Sequence, residues 1–366
     1  MSHFSAPPQA PRGHRRPARG RRLLLAVASV AALALIAWPV MSHFDIPPFT
    51  DKGEPVSFGP GGTDPGADSG TGTRAAGAKA LMPTGPAAAF KNAETLDNGT
   101  HVAVVDVDGK KSGFKGKVWV WAPKEYSDPK YAKSGFPVMI ALPGGPGFPT
   151  NYWMSDSGLH LESSIEKWVQ EGKSKPFLLA MPVLNPHTDE GGLYWDGSDI
   201  PGQPKMGTWL TEDVPDLMKQ NFRTLKSRDG WSFMGSSSGG FAGLKAVLKH
   251  PDKFKTVIAS GPDIVPDSPL WHGDRQAMAA NNPEELSKKL IAAKGPDVYL
   301  AFQYGTNEKN EKKKVDKYLA TYGNKGPVHT HLQVIQGGDH NAKSYLRGMD
   351  ESSIKWISDH MAGPEA

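Results

Sequence analysis

The stretch WSFMGSSSGGFAGLKAVLKHPDKF, residues 231–254, is the segment that decides the fold of this chain. It predicts a short apolar strand, Trp231 to Met234, then a tight turn of glycine and serine, then an amphipathic helix. The turn, Gly235 to Gly239, satisfies the G-x-S-x-G pattern of a nucleophile elbow with Ser237 at its centre. Such a sharp strand-to-helix turn exposes the serine hydroxyl, and small flanking residues allow the backbone to bend that tightly. The helix that follows would place backbone N–H groups beside the nucleophile, where an oxyanion forms.

Four apolar residues after the turn recur at helical spacing and predict a helix with one buried face: Phe241, Leu244, Val247 and Leu248. The alternative is a loop rich in glycine and serine that matches the five-residue pattern by chance. A serine nucleophile also needs an acid and a histidine, and after an elbow of this kind they follow the serine in that order. The residues beyond Ser237 therefore decide between the two interpretations.

His340 fits the role of the base best among the twelve histidines of the chain. It follows an alternating strand, His329 to Ile335, and a glycine-containing loop, from which a side chain can reach over the sheet edge to the serine. The alternative is an ordinary histidine of a surface loop. His329 and His331 share one face of the strand, but the chain has no cysteine and no carboxylate at ligand spacing, so we expect no metal site there.

The acid should follow a buried strand, where a carboxylate can hold the imidazole tautomer and stabilise the imidazolium. The run Val298 to Phe302 predicts such a strand, and Glu308 lies in the segment just beyond it. Glu311 and Asp316 follow in a lysine-rich helical stretch, and Asp263 follows another apolar run. Glu308 is our prediction, and the other three carboxylates are the alternatives.

An oxyanion also needs a second N–H donor, usually from the loop after an early strand. The apolar run Phe136 to Leu142 leads into Pro143-Gly144-Gly145-Pro146-Gly147, where the glycines would allow the backbone to approach a reacting carbonyl. We predict the backbone N–H groups of Gly145 and Ser238 as the oxyanion-hole donors. An ordinary glycine–proline turn is the alternative.

The order of these pieces resembles the esterase family of α/β-hydrolases, which includes esterase D-like enzymes, enterochelin esterases and the antigen 85 mycolyltransferases. The resemblance covers about residues 95–360 and rests on KVWVWAPKEY, FPVMIALPGGPG, TWLTEDVPDLMKQNF, GSSSGGFAGLKAVLKHPDKF and GGDHNAKSYL. Its most specific parts are the elbow with the trailing HPDKF and the segment TWLTEDVPDLM, which is similar to the stretch before the elbow in the mycolyltransferases.

This resemblance implies an α/β-hydrolase fold with Ser237 as the nucleophile, His340 as the base and Glu308 as the acid. Two positions depart from the family pattern. Ser238 stands where an apolar methionine often follows the nucleophile, and Asp339 separates the histidine from the preceding glycine.

The amino-terminal residues predict a membrane anchor. Residues 1–22 carry six arginines and no acidic residue, which predicts a cytoplasmic tail by the positive-inside rule. Residues 23–41 form the predicted transmembrane signal-anchor, and the uncharged run Leu23 to Val40 is just long enough to cross a bilayer core of about 30 Å. A cleaved signal peptide is the alternative, and both interpretations export the rest of the chain.

Composition divides the remainder into two parts. Residues 42–92 are rich in proline, glycine and alanine and predict a disordered linker, whereas residues 93–366 suit one hydrolase domain. Without the six arginines of the tail, the chain has 36 basic and 38 acidic residues, so its charge does not predict nucleic-acid binding. No phosphate-binding glycine loop is present, and we expect no cofactor; the sequence leaves the oligomeric state open.

Eight strand-like runs separated by helical stretches predict a mostly parallel sheet with helices on both faces and the site at the carboxyl ends of the strands. The runs are His101–Val107, Lys117–Ala122, Pro137–Leu142, Pro176–Met181, Trp231–Met234, Thr256–Ala259, Asp297–Phe302 and His329–Ile335. The irregular segment Asn185 to Thr208 is too long for a routine connection. Its Tyr194 and Trp195 could form a wall of the substrate pocket or belong to a packed loop.

The sequence therefore predicts a membrane-tethered serine esterase or acyltransferase that works outside the cytoplasm through an acyl-enzyme. Its substrate would be a small-molecule, lipid or sugar ester; water as the acceptor makes it an esterase, and a hydroxyl group makes it an acyltransferase. Two alternatives stay open. One is a peptidase or amidase with the same triad, and the other is a catalytically silent hydrolase fold that serves as a binding module of the cell envelope.

Overall fold

The computed structural model describes residues 53–58, 79–154, 159–188 and 193–366, and its centre is a nine-stranded sheet. The strands are β1 Ala80–Leu81, β2 Lys91–Thr95, β3 His101–Asp108, β4 Lys115–Trp121, β5 Val138–Leu142, β6 Leu178–Pro182, β7 Thr224–Leu225, β8 Trp231–Ser236, β9 Thr256–Ser260, β10 Val298–Gly305 and β11 Val328–Ile335. The sheet order is β11-β10-β9-β8-β5-β6-β4-β3-β2, and β1 and β7 form a separate antiparallel pair. The six strands from β11 to β6 are parallel, and β4, β3 and β2 continue the sheet in antiparallel pairing.

Helices alternate with the parallel strands along the chain. They are α1 Leu161–Gln170, α2 Met206–Thr208, α3 Val214–Asn221, α4 Ser238–Lys249, α5 Arg275–Ala279, α6 Pro283–Ala293, α7 Lys309–Tyr322, α8 Ala342–Gly348 and α9 Ile354–Asp359. A short π-helical segment, Trp209–Asp213, joins α2 to α3, and another, Met349–Ser353, joins α8 to α9. Helix α4 packs against β5, β8 and β9, and α8 packs against β10 and β11.

The central strands are buried along their whole length, which explains why they appear in the sequence as continuous apolar runs. Every residue of β5, β6, β8 and β9 is buried. Parallel strands covered on both faces have no solvent-facing side, so an alternating pattern is not required of them.

All eight predicted strands are confirmed, with ends that differ from the predicted ones by at most three residues. The prediction missed β1, β2 and β7. Strands β1 and β7 have two residues each, and β2 has the polar sequence KNAET, in which none of the residues is fully buried. Neither kind of segment has the apolar periodicity by which a strand is recognised in a sequence.

The described parts of the predicted linker, residues 42–92, are not linker. Residues 53–58 and 79–92 belong to the folded domain, because they include β1 and part of β2 and pair with neighbouring backbone. The ring of Phe58 lies 5.5 Å from that of Phe90, centroid to centroid, at an interplanar angle of 87°. A few well-placed apolar side chains therefore anchor a segment whose average composition is that of a linker.

The predicted cytoplasmic tail and the predicted anchor, residues 1–22 and 23–41, lie outside the described residues. In the part of the chain that the structure describes, none of the helices combines the length and apolar character needed to cross a membrane.

The prediction of a single buried face for α4 is too narrow. All ten residues from Gly239 to Leu248 are buried, including Lys245. The reason lies in the irregular segment before α2, which covers the outer side of the helix: the Lys245 ammonium donates to the carbonyl oxygens of Asp196, at 2.5 Å, and Gly197, at 2.7 Å.

Candidate active site

Five loops that carry the predicted site residues leave the sheet at the same edge. They follow β5, β8, β9, β10 and β11, which are parallel and in register: Leu142 pairs with Gly235, Ser236 with Ser260, and Gly305 with Ile335. Chain connections change direction at β5, whose neighbours are β6 on one side and β8 on the other. A crevice at the carboxyl ends of parallel strands, where the connections reverse, is the usual ligand site of an open α/β sheet.

The elbow has the strained backbone that its sequence predicts. Ser237 stands between β8 and α4 with φ 53° and ψ −123°, in the left-handed half of the map that side chains other than glycine seldom occupy. Its N–H donates to Ser260 O of the neighbouring strand at 2.8 Å, which holds the turn in place. At Gly239, a Cβ atom would lie 2.3 Å from Pro143 O, so only glycine allows α4 to approach the end of β5 this closely.

Tyr152 fixes the glycine-rich loop against the elbow. The Gly144 N–H donates to the Tyr152 hydroxyl at 2.5 Å, and the same hydroxyl is hydrogen-bonded to Ser236 Oγ. A Cβ atom on Gly144 would lie 3.1 Å from Ser237 Cβ, which places this loop directly beside the predicted nucleophile. The sequence analysis missed Tyr152, because a tyrosine eight residues beyond a turn has no pattern that marks it.

The two predicted oxyanion-hole residues lie next to each other. Ser238 Oγ donates to Gly145 O at 3.2 Å, although one residue opens α4 and the other lies in the loop after β5. Among the described residues, no acceptor bonds to the backbone N–H of Gly145 or to that of Ser238. The two N–H groups therefore stay the predicted donors to an oxyanion.

Glu308 and His340, the predicted acid and base, are brought together although 32 residues separate them. His340 Nδ1 donates to Glu308 Oε1 at 2.7 Å. The glutamate side chain is 2% exposed and the histidine side chain 44% exposed. With Nδ1 held by the carboxylate, Nε2 is the nitrogen that remains to exchange a proton with a serine.

Each partner shifts the pKa of the other. Burial alone would raise the pKa of Glu308, but hydrogen bonds from His340, Tyr345 and the Gly305 N–H together lower it below the usual carboxyl value. The hydrogen bond to Glu308 raises the pKa of His340, against the opposing effect of burial, and the charges of Glu311 and Asp263 add to the increase. The pair therefore favours a carboxylate beside an imidazole whose pKa is raised.

Backbone and side-chain bonds join the acid loop to the histidine loop. Asn307 N–H donates to Gly338 O at 3.1 Å, and Asn307 Nδ2 donates to Asp339 Oδ1 at 2.9 Å. Asp339, one of the two departures from the family pattern, thus helps to tie the two loops together. These hydrogen bonds hold the two loops together and so keep Glu308 close to His340.

The other carboxylates considered for the acid have different partners. Asp316 accepts from the Tyr304 hydroxyl at 2.9 Å, and Asp263 forms an ion pair with Lys314 at 2.5 Å. Glu311 lies near His340 but has no hydrogen bond to it. Of the four candidates, Glu308 makes the contact with the histidine.

Tyr345 is a second residue that the sequence analysis missed. Its hydroxyl lies 2.5 Å from Glu308 Oε1 and 2.8 Å from His340 Nδ1. It stands five residues after the histidine, within the quoted stretch GGDHNAKSYL, and that spacing was the signal available in the sequence.

The Ser237 hydroxyl is hydrogen-bonded neither to His340 nor to another described residue in this structure. Hydrogen bonds between nucleophile and base are often long or misaligned without substrate and tighten in the Michaelis complex. Ser237 itself is only partly buried, so substrate can reach it.

One group of residues has the proximity of a metal site within the described ranges: ligand atoms of Glu308, Glu311 and His340 all lie within 4.8 Å of one another. Two of these residues already share the hydrogen bond described above. His329 and His331 do not form such a group, because His329 pairs with Asp297 and His331 is hydrogen-bonded to Ser352.

The irregular segment before α2 behaves as a packed loop at Trp195. That side chain is 2% exposed, and its Nε1 donates to Gln203 Oε1 at 3.1 Å. Tyr194 remains partly exposed and donates to Asp267 Oδ1 at 2.8 Å. The two residues left open by the sequence therefore have different environments.

Comparison with known proteins identifies the group to which the chain is related. The family model described as "Putative esterase" matches residues 115–359, which include the elbow, the acid loop and the histidine loop. The chain belongs to this esterase family. The structure agrees, since solved esterases and S-formylglutathione hydrolases are built on the same α/β-hydrolase sheet.

Individual relatives of this esterase-family chain are distant. An uncharacterized protein of Corynebacterium glutamicum is 26% identical over 265 residues, which is 67% of this chain and 60% of that protein, so the match spans less than two thirds of the relative. An S-formylglutathione hydrolase from Agrobacterium tumefaciens has a TM-score of 0.55 at 17% identity and covers 72% of this chain and 96% of its own. The fluorophosphonate-binding serine hydrolase F of Staphylococcus aureus has a TM-score of 0.55 at 15% identity, with 71% and 98% covered. At these identities the two structures show a shared fold.

Proposed function

We propose that the protein is a serine esterase that cleaves a carboxylic ester through an acyl-enzyme, with Ser237 as nucleophile, His340 as base and Glu308 as acid. The observation that carries this proposal is the hydrogen bond of 2.7 Å between His340 Nδ1 and Glu308 Oε1, at the sheet edge where the elbow presents Ser237. Membership of the esterase family supports the same reaction class.

In the proposed reaction, His340 Nε2 removes the Ser237 proton while the serine oxygen attacks the ester carbonyl. The carbonyl oxygen becomes an oxyanion, which the N–H groups of Gly145 and Ser238 stabilise. His340 then gives its proton to the leaving alcohol, and the C–O bond breaks to leave an acyl-serine. Water, activated by the same histidine, attacks the acyl-serine and releases the acid.

The acceptor in the second half of the reaction distinguishes an esterase from an acyltransferase. A sugar or lipid hydroxyl that replaced water would be acylated by the same proton transfers. We propose water as the default acceptor, since several relatives with known names are hydrolases or esterases. Incubation of the acyl-enzyme with and without a sugar alcohol, followed by product analysis, distinguishes the two outcomes.

We also propose that the domain is tethered to a membrane by residues 23–41 and acts outside the cytoplasm on small-molecule, lipid or sugar esters. The support is the apolar run Leu23 to Val40 behind a tail with six arginines and no acidic residue. A tether of this kind would keep the enzyme near esters of the cell envelope.

The proposed nucleophile is tested by covalent labelling with a fluorophosphonate probe, the reagent class in the name of the Staphylococcus aureus neighbour. Ser237→Ala should abolish labelling, because only the central residue of the elbow is presented by the turn. Ser236→Ala is the matched control and should still be labelled, since its hydroxyl is bound to Tyr152.

Three results would contradict the proposal. Labelling that persists in Ser237→Ala would show that another serine is the nucleophile. A wild-type protein that is neither labelled nor active on a panel of esters would favour the silent binding module. Cleavage of amides at rates comparable to esters would favour the peptidase alternative.

A further inference from the structure

Tyr345 places a buried hydroxyl between the proposed acid and the proposed base. Its oxygen lies 2.5 Å from Glu308 Oε1 and 2.8 Å from His340 Nδ1, and the residue is 1% exposed. No step of the proposed acyl-enzyme reaction uses this hydroxyl. A buried hydroxyl that contacts both the acid and the base can nevertheless change the pKa of each of them.

The chemistry of the partners decides the direction of each bond. An ionised carboxylate only accepts hydrogen bonds, so Tyr345 donates its proton to Glu308 Oε1. His340 Nδ1 donates to the same oxygen and lies 2.8 Å from the phenolic oxygen. Glu308 Oε2 accepts from the Gly305 N–H. Three donors therefore share the charge of one buried carboxylate.

A glycine in the loop after β9, Gly261, leaves the space that this hydroxyl occupies. A Cβ atom on Gly261 would lie 2.1 Å from the Tyr345 oxygen and 2.7 Å from Glu308 Oε1, and Gly261 has a φ of +49°. Only a residue without a side chain leaves the space in which the phenol and the carboxylate meet. The Gly261 N–H is in turn held by Gln303 O at 2.7 Å.

We propose that Tyr345 is a positioning residue of this site: its hydroxyl aims the Glu308 carboxylate at His340 and takes up part of the carboxylate charge. This inference rests on the proposed function of Ser237, His340 and Glu308. A carboxylate that shares its charge with a phenol attracts the imidazolium proton less strongly. His340 is thereby left neutral, and able to accept the serine proton, at a lower pH than it would be beside Glu308 alone.

The other ionisable groups around His340 act in the opposite direction to the phenol. Glu308 and Glu311 face it from the start of α7, and Asp263 faces it from the loop after β9; all three raise its pKa. Lys314 neutralises part of the Asp263 charge in an ion pair of 2.5 Å. Removal of the phenol therefore takes one hydrogen-bond donor away from Glu308, while the carboxylates around His340 remain.

The test uses Tyr345→Phe in the full-length protein, solubilised in detergent and labelled with ¹⁵N at histidine. Titration of the His340 ring by NMR should show a higher pKa than in the wild type, with His340→Gln used to assign the signal. The kcat for an ester at neutral pH should fall about tenfold, the effect of one lost hydrogen bond, while KM stays within about twofold. Glu308→Gln should move the His340 pKa in the opposite direction, to lower values.

Tyr318→Phe is the matched control, because it also removes a buried hydroxyl, one that is bonded to Ser287 Oγ of α6 at 2.6 Å. It should leave both the His340 titration and kcat unchanged. A His340 pKa in Tyr345→Phe that equals or falls below the wild-type value would overturn the inference and leave Tyr345 a packing residue. The titration needs no substrate, so a protein that hydrolyses no ester would refute the proposed function without deciding this point.

Discussion

At the scale of single residues, Glu308 shows how burial and hydrogen bonding oppose each other. Its side chain is 2% exposed, and an isolated carboxyl group in such a place would stay protonated. Hydrogen bonds from His340, Tyr345 and the Gly305 N–H reverse that effect and lower its pKa. The residue can therefore carry the negative charge that an imidazolium needs beside it.

Glu308→Gln should lower kcat by about 10²–10⁴-fold, because the amide cannot stabilise the imidazolium or hold its tautomer as a carboxylate does. Glu311→Gln is the matched control: it lies one turn further along α7, also near His340, but has no hydrogen bond to it. The control should keep kcat within about twofold of wild type. Steady-state kinetics of both variants would contradict the assignment if Glu311→Gln were the slower enzyme.

The pH profile gives the same prediction a second readout. His340 accepts a proton only when it is neutral, so kcat/KM should fall as the pH drops through its raised pKa, above the ordinary imidazole value of about 6.5. Glu308→Gln removes the main cause of the increase, and the acid limb should move to lower pH. A limb that stays in place would mean that another group raises the pKa of His340.

At the scale of elements, α4 joins the nucleophile to the irregular segment that covers it. The first residue of the helix follows Ser237, and two turns later the buried Lys245 donates to the carbonyl oxygens of Asp196 and Gly197. Burial lowers the pKa of Lys245, and the nearby charge of Asp196 opposes this effect. A lysine on the buried part of this helix thus provides donors for backbone that has no regular partner.

Lys245→Met should lower the free energy of unfolding by about 2–4 kcal/mol, because the change keeps the apolar stem but leaves two buried carbonyl groups without their donor. Lys249→Met, one turn on, is the control; it is an exposed residue whose ammonium donates to Asn281 Oδ1 at 2.9 Å. We expect less than about 1 kcal/mol for the control. Urea denaturation measures both, and equal losses would mean that the carbonyl contacts of Lys245 contribute little.

At the scale of the whole molecule, the domain begins earlier than composition indicates. Residues 52–366 form one compact unit, and the ring of Phe58 lies 5.0 Å from that of Phe222, centroid to centroid. The described part of the domain thus includes residues 53–58, which the composition assigned to the linker.

If Leu23 to Val40 is a retained anchor, the full-length protein should stay in the membrane fraction after carbonate washing, since an apolar span of this length is held by the bilayer core. Protease added outside the cell should release a soluble fragment that is labelled by a fluorophosphonate. Ala32→Arg, which places a charge near the middle of the run, is expected to weaken membrane retention. A mature protein in the medium that begins beyond Val40 would support the cleaved signal peptide instead.

The sequence by itself determined the class of the fold and the identity of the elbow. Both are local properties: eight strand-like runs can be recognised one by one, and Ser237 lies in a five-residue pattern that can be recognised without its surroundings. His340 and Glu308 could be predicted as candidates, because each follows a strand that the pattern identifies. The choice between Glu308, Glu311 and the other carboxylates could not be made on those grounds.

Only the tertiary structure decided which side chains meet. Three contacts join segments that strand order and register bring together. They are the hydrogen bond between Glu308 and His340, the Tyr345 hydroxyl between these two residues, and the hydrogen bond of Tyr152 with Gly144. The same holds for the burial of Lys245 and for the amino-terminal residues that pack on the domain. Periodicity and motif spacing depend only on residues that are close together in the chain. The pKa of a side chain and the formation of an acid–base pair depend on atoms of other segments, which only the folded structure brings near.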